Sequence, residues 1–223
     1  MEQIILENIC KTYYGKGFQV DALKNINLKI FKGEMIAIMG PSGSGKSTLL
    51  NILGCIDNAT NGDYLLNGKN ITSFTNKEMA QLRVKTFGFV LQEFALLERY
   101  TVEQNLKLPL IYSNTNKKEY SGIIDNLLKK LNIADKKKRF PNMLSGGQRQ
   151  RVAIGRALIN NADIILCDEP TGALDSKTSS EIMELFTEIN KSGKTIIIVT
   201  HDKTIANYCN SCIYISDGQL CTR

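Results

Sequence analysis

The chain has 223 residues, 43% of them hydrophobic and 22% charged, a composition that excludes wholesale disorder and allows one domain with an inserted lobe. Lys and Arg number 28 against 22 Asp and Glu, a formal net charge of +6, which solubility alone explains and which does not by itself call for a nucleic acid. No apolar run approaches the roughly 18 residues of a membrane span, and the opening MEQIILENICKTYY lacks a basic stretch followed by an apolar one, so neither a span nor a secretory leader is expected.

Residues 4–9 read as a strand, and Ile26, Leu28 and Ile30 alternate with polar residues as in a half-buried antiparallel strand. Residues 35–39, MIAIM, form a short continuous apolar run, the pattern of a strand covered on both faces. GPSGSGKST follows at 40–48 and opens a helix from Lys46 to about Leu53, closed by Gly54. This is G-x-x-x-x-G-K-S/T between a strand and a helix, the context of a phosphate-binding loop. Gly40, Gly43 and Gly45 let the backbone approach phosphates closely, and Pro41, Ser42, Ser44 and Thr48 complete the loop. Lys46 is placed to reach the terminal phosphates of a triphosphate, and the Ser47 hydroxyl to ligate Mg²⁺. Residues 64–66 read as a further strand, punctuated by Gly62 and Gly68.

From about 93 to 160 the pattern becomes helical, with Leu127, Leu128 and Leu131 at helical spacing. The run DKKKR at 135–139 reads as a solvated loop. LSGGQ at 144–148 precedes RQRVAIGRALI, which reads as a helix by its spacing. Ser145 is placed to cap it, and Gly146 and Gly147 leave its first amides accessible. Local chemistry alone does not choose between a second anion-binding terminus and an ordinary capped helix.

The last third alternates strand 164–167, a helix at about 178–191, and strands 195–200 and 211–216. That rhythm predicts a parallel sheet under helices, with chemistry at the strands' carboxyl ends. ILCDEP at 165–170 ends a strand in two carboxylates. Asp168 suits a water-mediated hold on Mg²⁺, and Glu169 the polarisation of an attacking water. Among six cysteines, Cys209 and Cys212 form a C-x-x-C pair with no second pair nearby, a weak sign of a redox or metal half-site.

In this order, the phosphate loop, LSGGQ and DEPTGALD resemble the nucleotide-binding subunit of the ABC ATPase family over nearly the whole chain. The resemblance implies an α/β P-loop NTPase fold: a RecA-like core on a mainly parallel sheet, an N-terminal antiparallel β subdomain and an inserted α-helical subdomain. It implies one ATPase domain over 1–223, with 1–92 and 156–223 forming the β subdomain and core, and 93–155 the helical subdomain carrying LSGGQ.

Further roles come from the resemblance alone. Gln92, after FGFVL, matches the glutamine that touches metal and water and couples to the membrane subunit. Asp175 matches a residue lying across the dimer interface, and His201, after TIIIVT, the histidine that contacts the γ-phosphate. Tyr13, or the adjacent Tyr14, matches the aromatic that stacks on adenine. The family works as a head-to-tail homodimer in the ATP-bound state, so Ser145, Gly146, Gly147 and Gln148 would cover ATP held by the other copy. ATP and Mg²⁺ are the expected cofactors. The expected partner is an integral membrane permease at the cytoplasmic face of the cell membrane, with no nucleic acid. NILGCID, TNGDY and DEPTGALD resemble the macrolide-exporter and lipoprotein-release branch. That implies export or extraction of an antimicrobial peptide, a macrolide-like compound or a lipoprotein; the alternative is an ATPase that signals or regulates through a membrane partner without transport.

Overall fold

The computed structural model describes residues 1–15 and 17–221. The chain opens with two long strands, β1 (Glu2–Gly15) and β2 (Phe18–Phe31), then β3 (Met35–Met39) and helix α1 (Lys46–Leu53). Strands β4 (Asn61–Leu66) and β5 (Lys69–Asn70), helix α2 (Asn76–Thr86) and strand β6 (Phe87–Val90) come next. Helices α3 (Val102–Ile111), α4 (Tyr120–Lys130) and α5 (Gly146–Leu158) follow. The chain then alternates β7 (Ile164–Asp168), α6 (Ser176–Lys191), β8 (Thr195–Thr200), α7 (Lys203–Ala206), β9 (Ser211–Ser216) and β10 (Gln219–Cys221). Among the described residues no helix is long and apolar enough to cross a membrane.

The strands form two sheets. In the first, ordered β2-β1-β4-β5, every pairing is antiparallel, and Ile4, Leu6 and Ile9 of β1 face Ile30, Leu28 and Ile26 of β2. The second is ordered β10-β9-β3-β8-β7-β6 and is parallel except at β10. The expected mixture of an antiparallel lobe and a mainly parallel core is therefore present. Its interior strands, MIAIM and TIIIVT, are buried at every position, because both faces are covered.

Strand alternation divides the core into two apolar bodies. Ile36, Ile38, Ile164, Leu166, Ile197 and Val199 point toward α1 and the antiparallel sheet. Their neighbours Met35, Ile165, Cys167, Ile196 and Ile198 point toward α3, α4, α5 and α6. Each fully buried side chain of this size contributes about 1.5–3 kcal/mol, so the parallel sheet is the part least able to shift.

Three features depart from the sequence reading. Helix α2 was not legible, because only Met79 and Thr86 of its eleven residues are buried; a reciprocal Thr75–Glu78 capping box holds its start instead. The boundary drawn at 155/156 falls inside α5, which runs unbroken from Gly146 to Leu158. The basic run 135–139 is not merely solvated. Arg139 and Lys137 carbonyls accept from the Val102 and Glu103 amides at the start of α3, and the Lys137 ammonium lies 2.8 Å from Asp125 and 3.4 Å from Glu103.

Helix α5 crosses β6 at Gly88, where a Cβ would stand 2.2 Å from the Ala157 carbonyl oxygen. Backbone cannot yield there as a side chain would. Gly88→Ala is expected to destabilise the protein by about 3 kcal/mol and to lower its melting temperature by roughly 6–12 °C, read by circular dichroism. An unchanged melt would show that α5 does not sit this close to the sheet.

Candidate nucleotide-binding and hydrolytic site

The loop between β3 and α1 folds as its glycines require. Gly43 and Gly45 lie at φ +77° and +104°, conformations that side chains rarely adopt. A Cβ on Gly45 would stand 2.6 Å from the Ala22 carbonyl oxygen, and one on Gly40 2.1 Å from that of Ile215. Pro41 and Ser42 are exposed on the rim, while Ser44 is buried with no partner for its hydroxyl among the described residues. The Lys46 ammonium donates to the Gly40 and Pro41 carbonyls at 2.9 and 2.8 Å, folding over the loop.

The start of α1 differs from those of α2, α3, α5 and α6. Each of those four begins with a side chain accepting from its first-turn amides. Helix α1 begins at Gly45 with no side-chain cap and no acidic residue in its first turn. Its amides and the positive end of its dipole face a cavity of about 370 Å³ lined by Gly43, Gly45, Lys46, Ser47, Thr48, Ala22 and Gly218, among others. This is the donor set a polyanion needs.

Two carboxylates stand at the adjoining strand end. The Ser47 hydroxyl donates to Asp168 Oδ2 at 3.3 Å. Burial pushes the Asp168 carboxyl up from its ordinary value and the Glu169 charge adds to this, while the Ser47 bond and the Lys46 charge oppose it. A carboxylate so placed favours a cation beside it. One hydroxyl and one carboxylate are hard oxygen donors of the kind Mg²⁺ takes alongside water and phosphate oxygens.

The parallel register Asp168↔Val199 carries Glu169 alongside Thr200 and His201. Glu169 lies at φ +46°, a strained conformation for a non-glycine residue that costs about 1–3 kcal/mol. Neighbours over-determine it. The Glu169 amide donates to the Val199 carbonyl at 2.9 Å, Thr200 Oγ1 donates to Glu169 Oε2 at 3.1 Å, and the His201 amide donates to Oε1 at 3.1 Å. The His201 ring is 2.6 Å away through Nδ1 and its side chain is 74% exposed, against 14% for Glu169. The result is a fixed carboxylate with a solvent-facing imidazole attached.

The other predicted positions lie farther out. Gln92 is exposed, two residues beyond the end of β6. The three residues after it, Glu93, Phe94 and Ala95, all lie at positive φ. Arg156 clamps them by donating to the Ala95 and Phe94 carbonyls at 2.6 and 3.2 Å, and the Arg149 guanidinium sits 4.8 Å from the centre of the Phe94 ring. Ser145 caps α5 in a reciprocal box with Gln148, ahead of Gly146 and Gly147. Asp175 caps α6 through Thr178. Tyr13 is tied by its hydroxyl to Asp57 at 2.8 Å, whereas Tyr14, next along the strand, is 73% exposed.

The C-x-x-C pair gains no chemistry from the fold. Burial pushes the Cys209 thiol up to about 12, against a reactive thiolate. No group of three His, Cys, Asp or Glu side chains that could hold a metal exists among the described residues. Cavity size does not mark the site either. A cavity of about 930 Å³ lies between α2 and the turn after α3, lined by Lys77, Gln81, Tyr112, Asn114, Asn160 and others, away from the acid pair and the phosphate loop. Thr200, Asp57, Arg149 and Arg156 escaped the sequence reading. Thr200, adjoining the histidine at a buried strand end, was the most findable of them.

Comparisons with known proteins agree with this geometry. A family model described as "ABC transporter" matches residues 23–172. The chain is 48% identical over 217 residues to "Uncharacterized ABC transporter ATP-binding protein YknY" of Bacillus subtilis, covering 97% of this chain and 94% of that one. It is also 48% identical over 217 residues to "Macrolide export ATP-binding/permease protein MacB" of Campylobacter fetus, covering 97% of this chain but only 34% of that one. Among solved structures, "Dimeric structure of a post-hydrolysis state of the ATP-binding cassette MJ0796 bound to ADP and Pi" superimposes with a TM-score of 0.89. It is 43% identical, with 97% of this chain and 96% of that one covered.

Proposed function

This chain belongs to the ABC transporter family, and we propose that it binds and hydrolyses ATP to drive transport through a separate membrane permease. One observation carries this reading: an uncapped helix terminus and a fixed carboxylate pair converge at the same edge of the parallel sheet. The amides at the start of α1 and Lys46 take the phosphates of ATP. Ser47 and Asp168 would hold Mg²⁺, which would supply charge neutralisation for the phosphates, and Gln92 would help to position that metal and the attacking water. Glu169 takes a proton from the attacking water as its oxygen bonds to the terminal phosphorus and the bridging P–O bond breaks. Thr200 and the His201 amide keep Glu169 aimed, and His201 reads the terminal phosphate. Tyr13 receives the adenine.

Helix α5 offers the second anion-binding end, the Ser145–Gln148 tip, and Asp175 lies near it in the dimer. We assign both to the nucleotide of a second copy in a head-to-tail homodimer. The MJ0796 cassette, of similar fold, is described as dimeric, which supports this arrangement. The similarity to macrolide export proteins supports export or extraction of a macrolide-like compound, an antimicrobial peptide or a lipoprotein. It also supports a peripheral seat on the cytoplasmic side of the membrane. The name of the relative YknY, an ATP-binding protein, supports a permease on another polypeptide. Division into a core of 1–92 and 156–223 and a helical lobe of 93–155 describes the same plan, with the lobe's last helix reaching to Leu158.

The purified chain is expected to release phosphate from ATP with added Mg²⁺ and to lose that activity in excess chelator. Undiminished turnover in chelator would remove the metal from the scheme. Coupling is read by adding the candidate permease in detergent. Substrate-dependent acceleration of phosphate release supports transport, and binding without acceleration counts against it.

A further inference from the structure

We propose that Asp57 is a positioning residue that fixes the plane of the Tyr13 ring relative to the phosphate loop, with Lys11 closing one face of that ring so that the base of ATP is received on the other. This rests on the reading of Tyr13 as the adenine platform and adds what holds the platform in place.

Tyr13 lies near the end of β1 that leads into β2, paired with Val20, where strand pairing alone leaves a ring free to turn about its side-chain bonds. Two contacts remove that freedom. Its hydroxyl donates to Asp57 Oδ2 at 2.8 Å. The Lys11 ammonium stands 4.8 Å from the ring centre and is itself held by Asp57 Oδ1 at 2.6 Å and the Asn58 carbonyl at 2.7 Å. Asp57 thus uses one oxygen for the ring and the other for the cation that covers it.

Burial raises the Asp57 carboxyl, while the bonds from Lys11, Tyr13 and the Asn58 amide outweigh it and hold the group below its ordinary value. Asp57 remains charged in its double role. Its own backbone is tied to the phosphate-binding helix, since the Asp57 and Ile56 amides both donate to the Asn51 carbonyl in α1. Base platform and phosphate cradle therefore form one rigid unit, which sets how far a stacked base lies from the phosphates. Tyr14 has none of these anchors and points to the opposite face of the strand.

The test compares binding of Mg-ATP and of Mg-tripolyphosphate, which lacks a base, by calorimetry on the full chain. Asp57→Ala is expected to weaken ATP roughly five-fold and to leave tripolyphosphate unchanged. In a Tyr13→Phe background, where the hydroxyl is already gone, Asp57→Ala should cost markedly less, the coupling of a direct contact. Equal weakening of ATP and tripolyphosphate would overturn the proposal, because the effect would then run through α1. Native ATP affinity in Asp57→Ala alongside weakened affinity in Tyr13→Ala would overturn the role of Asp57 and leave the platform standing. Native affinity in both variants would overturn the platform reading and the proposal with it.

Discussion

Glu169→Gln is expected to lower phosphate release roughly 10²–10⁴-fold while leaving Mg-ATP affinity within about three-fold of native. The substitution keeps the shape of the side chain and removes its capacity to take a proton. The amide oxygen of Gln can still accept from the His201 N–H, the 3.1 Å bond made by Glu169 Oε1. Its NH₂ then faces the Thr200 hydroxyl, which turns to accept. The strained backbone at φ +46° retains the same anchors, so the melting temperature should move little. A head-to-tail dimer that forms on ATP and opens on hydrolysis should accumulate in this variant, giving an ATP-dependent shift in size-exclusion chromatography. Native turnover in Glu169→Gln would take the general-base role away from this residue.

The second large effect is on binding. Lys46→Ala is expected to weaken Mg-ATP roughly 10²–10³-fold by calorimetry, with hydrolysis lost at ordinary ATP concentrations. The Lys46 ammonium folds over the loop, bonded to the Gly40 and Pro41 carbonyls, at the start of α1. Arg is not an adequate substitute, because a broad planar guanidinium does not fit a cradle built for a point charge. Without nucleotide the variant should melt close to native, since Lys46 holds nothing in the core. Undiminished Mg-ATP affinity would move the triphosphate site away from this loop.

Parts of this protein that sit within a few consecutive residues were open to reading. Residues 35–48 contain a buried strand, a glycine loop and a helix start in one unbroken stretch, and each has a signature of its own in residue type and spacing. The same holds for the apolar strand running into Asp168 and Glu169, and for Ser145 ahead of its helix. The alternation of strands and helices then placed all the strand ends on one edge, and the parallel order β3-β8-β7-β6 puts them there. Helix α2 failed this reading because a thin apolar stripe leaves little period to detect, with capping holding the segment instead.

The sequence by itself determined the fold class and the order in which phosphate loop, helix cap and acid pair occur, because each is a local pattern whose chemistry needs no distant partner. Tertiary structure alone decided what holds those groups in place. Asp57 meets Tyr13 across 44 positions of chain, Glu169 meets His201 across 32, and Arg156 reaches Ala95 across 61. Such meetings follow from strand register and helix packing, which set distances between residues that no periodicity along the chain connects.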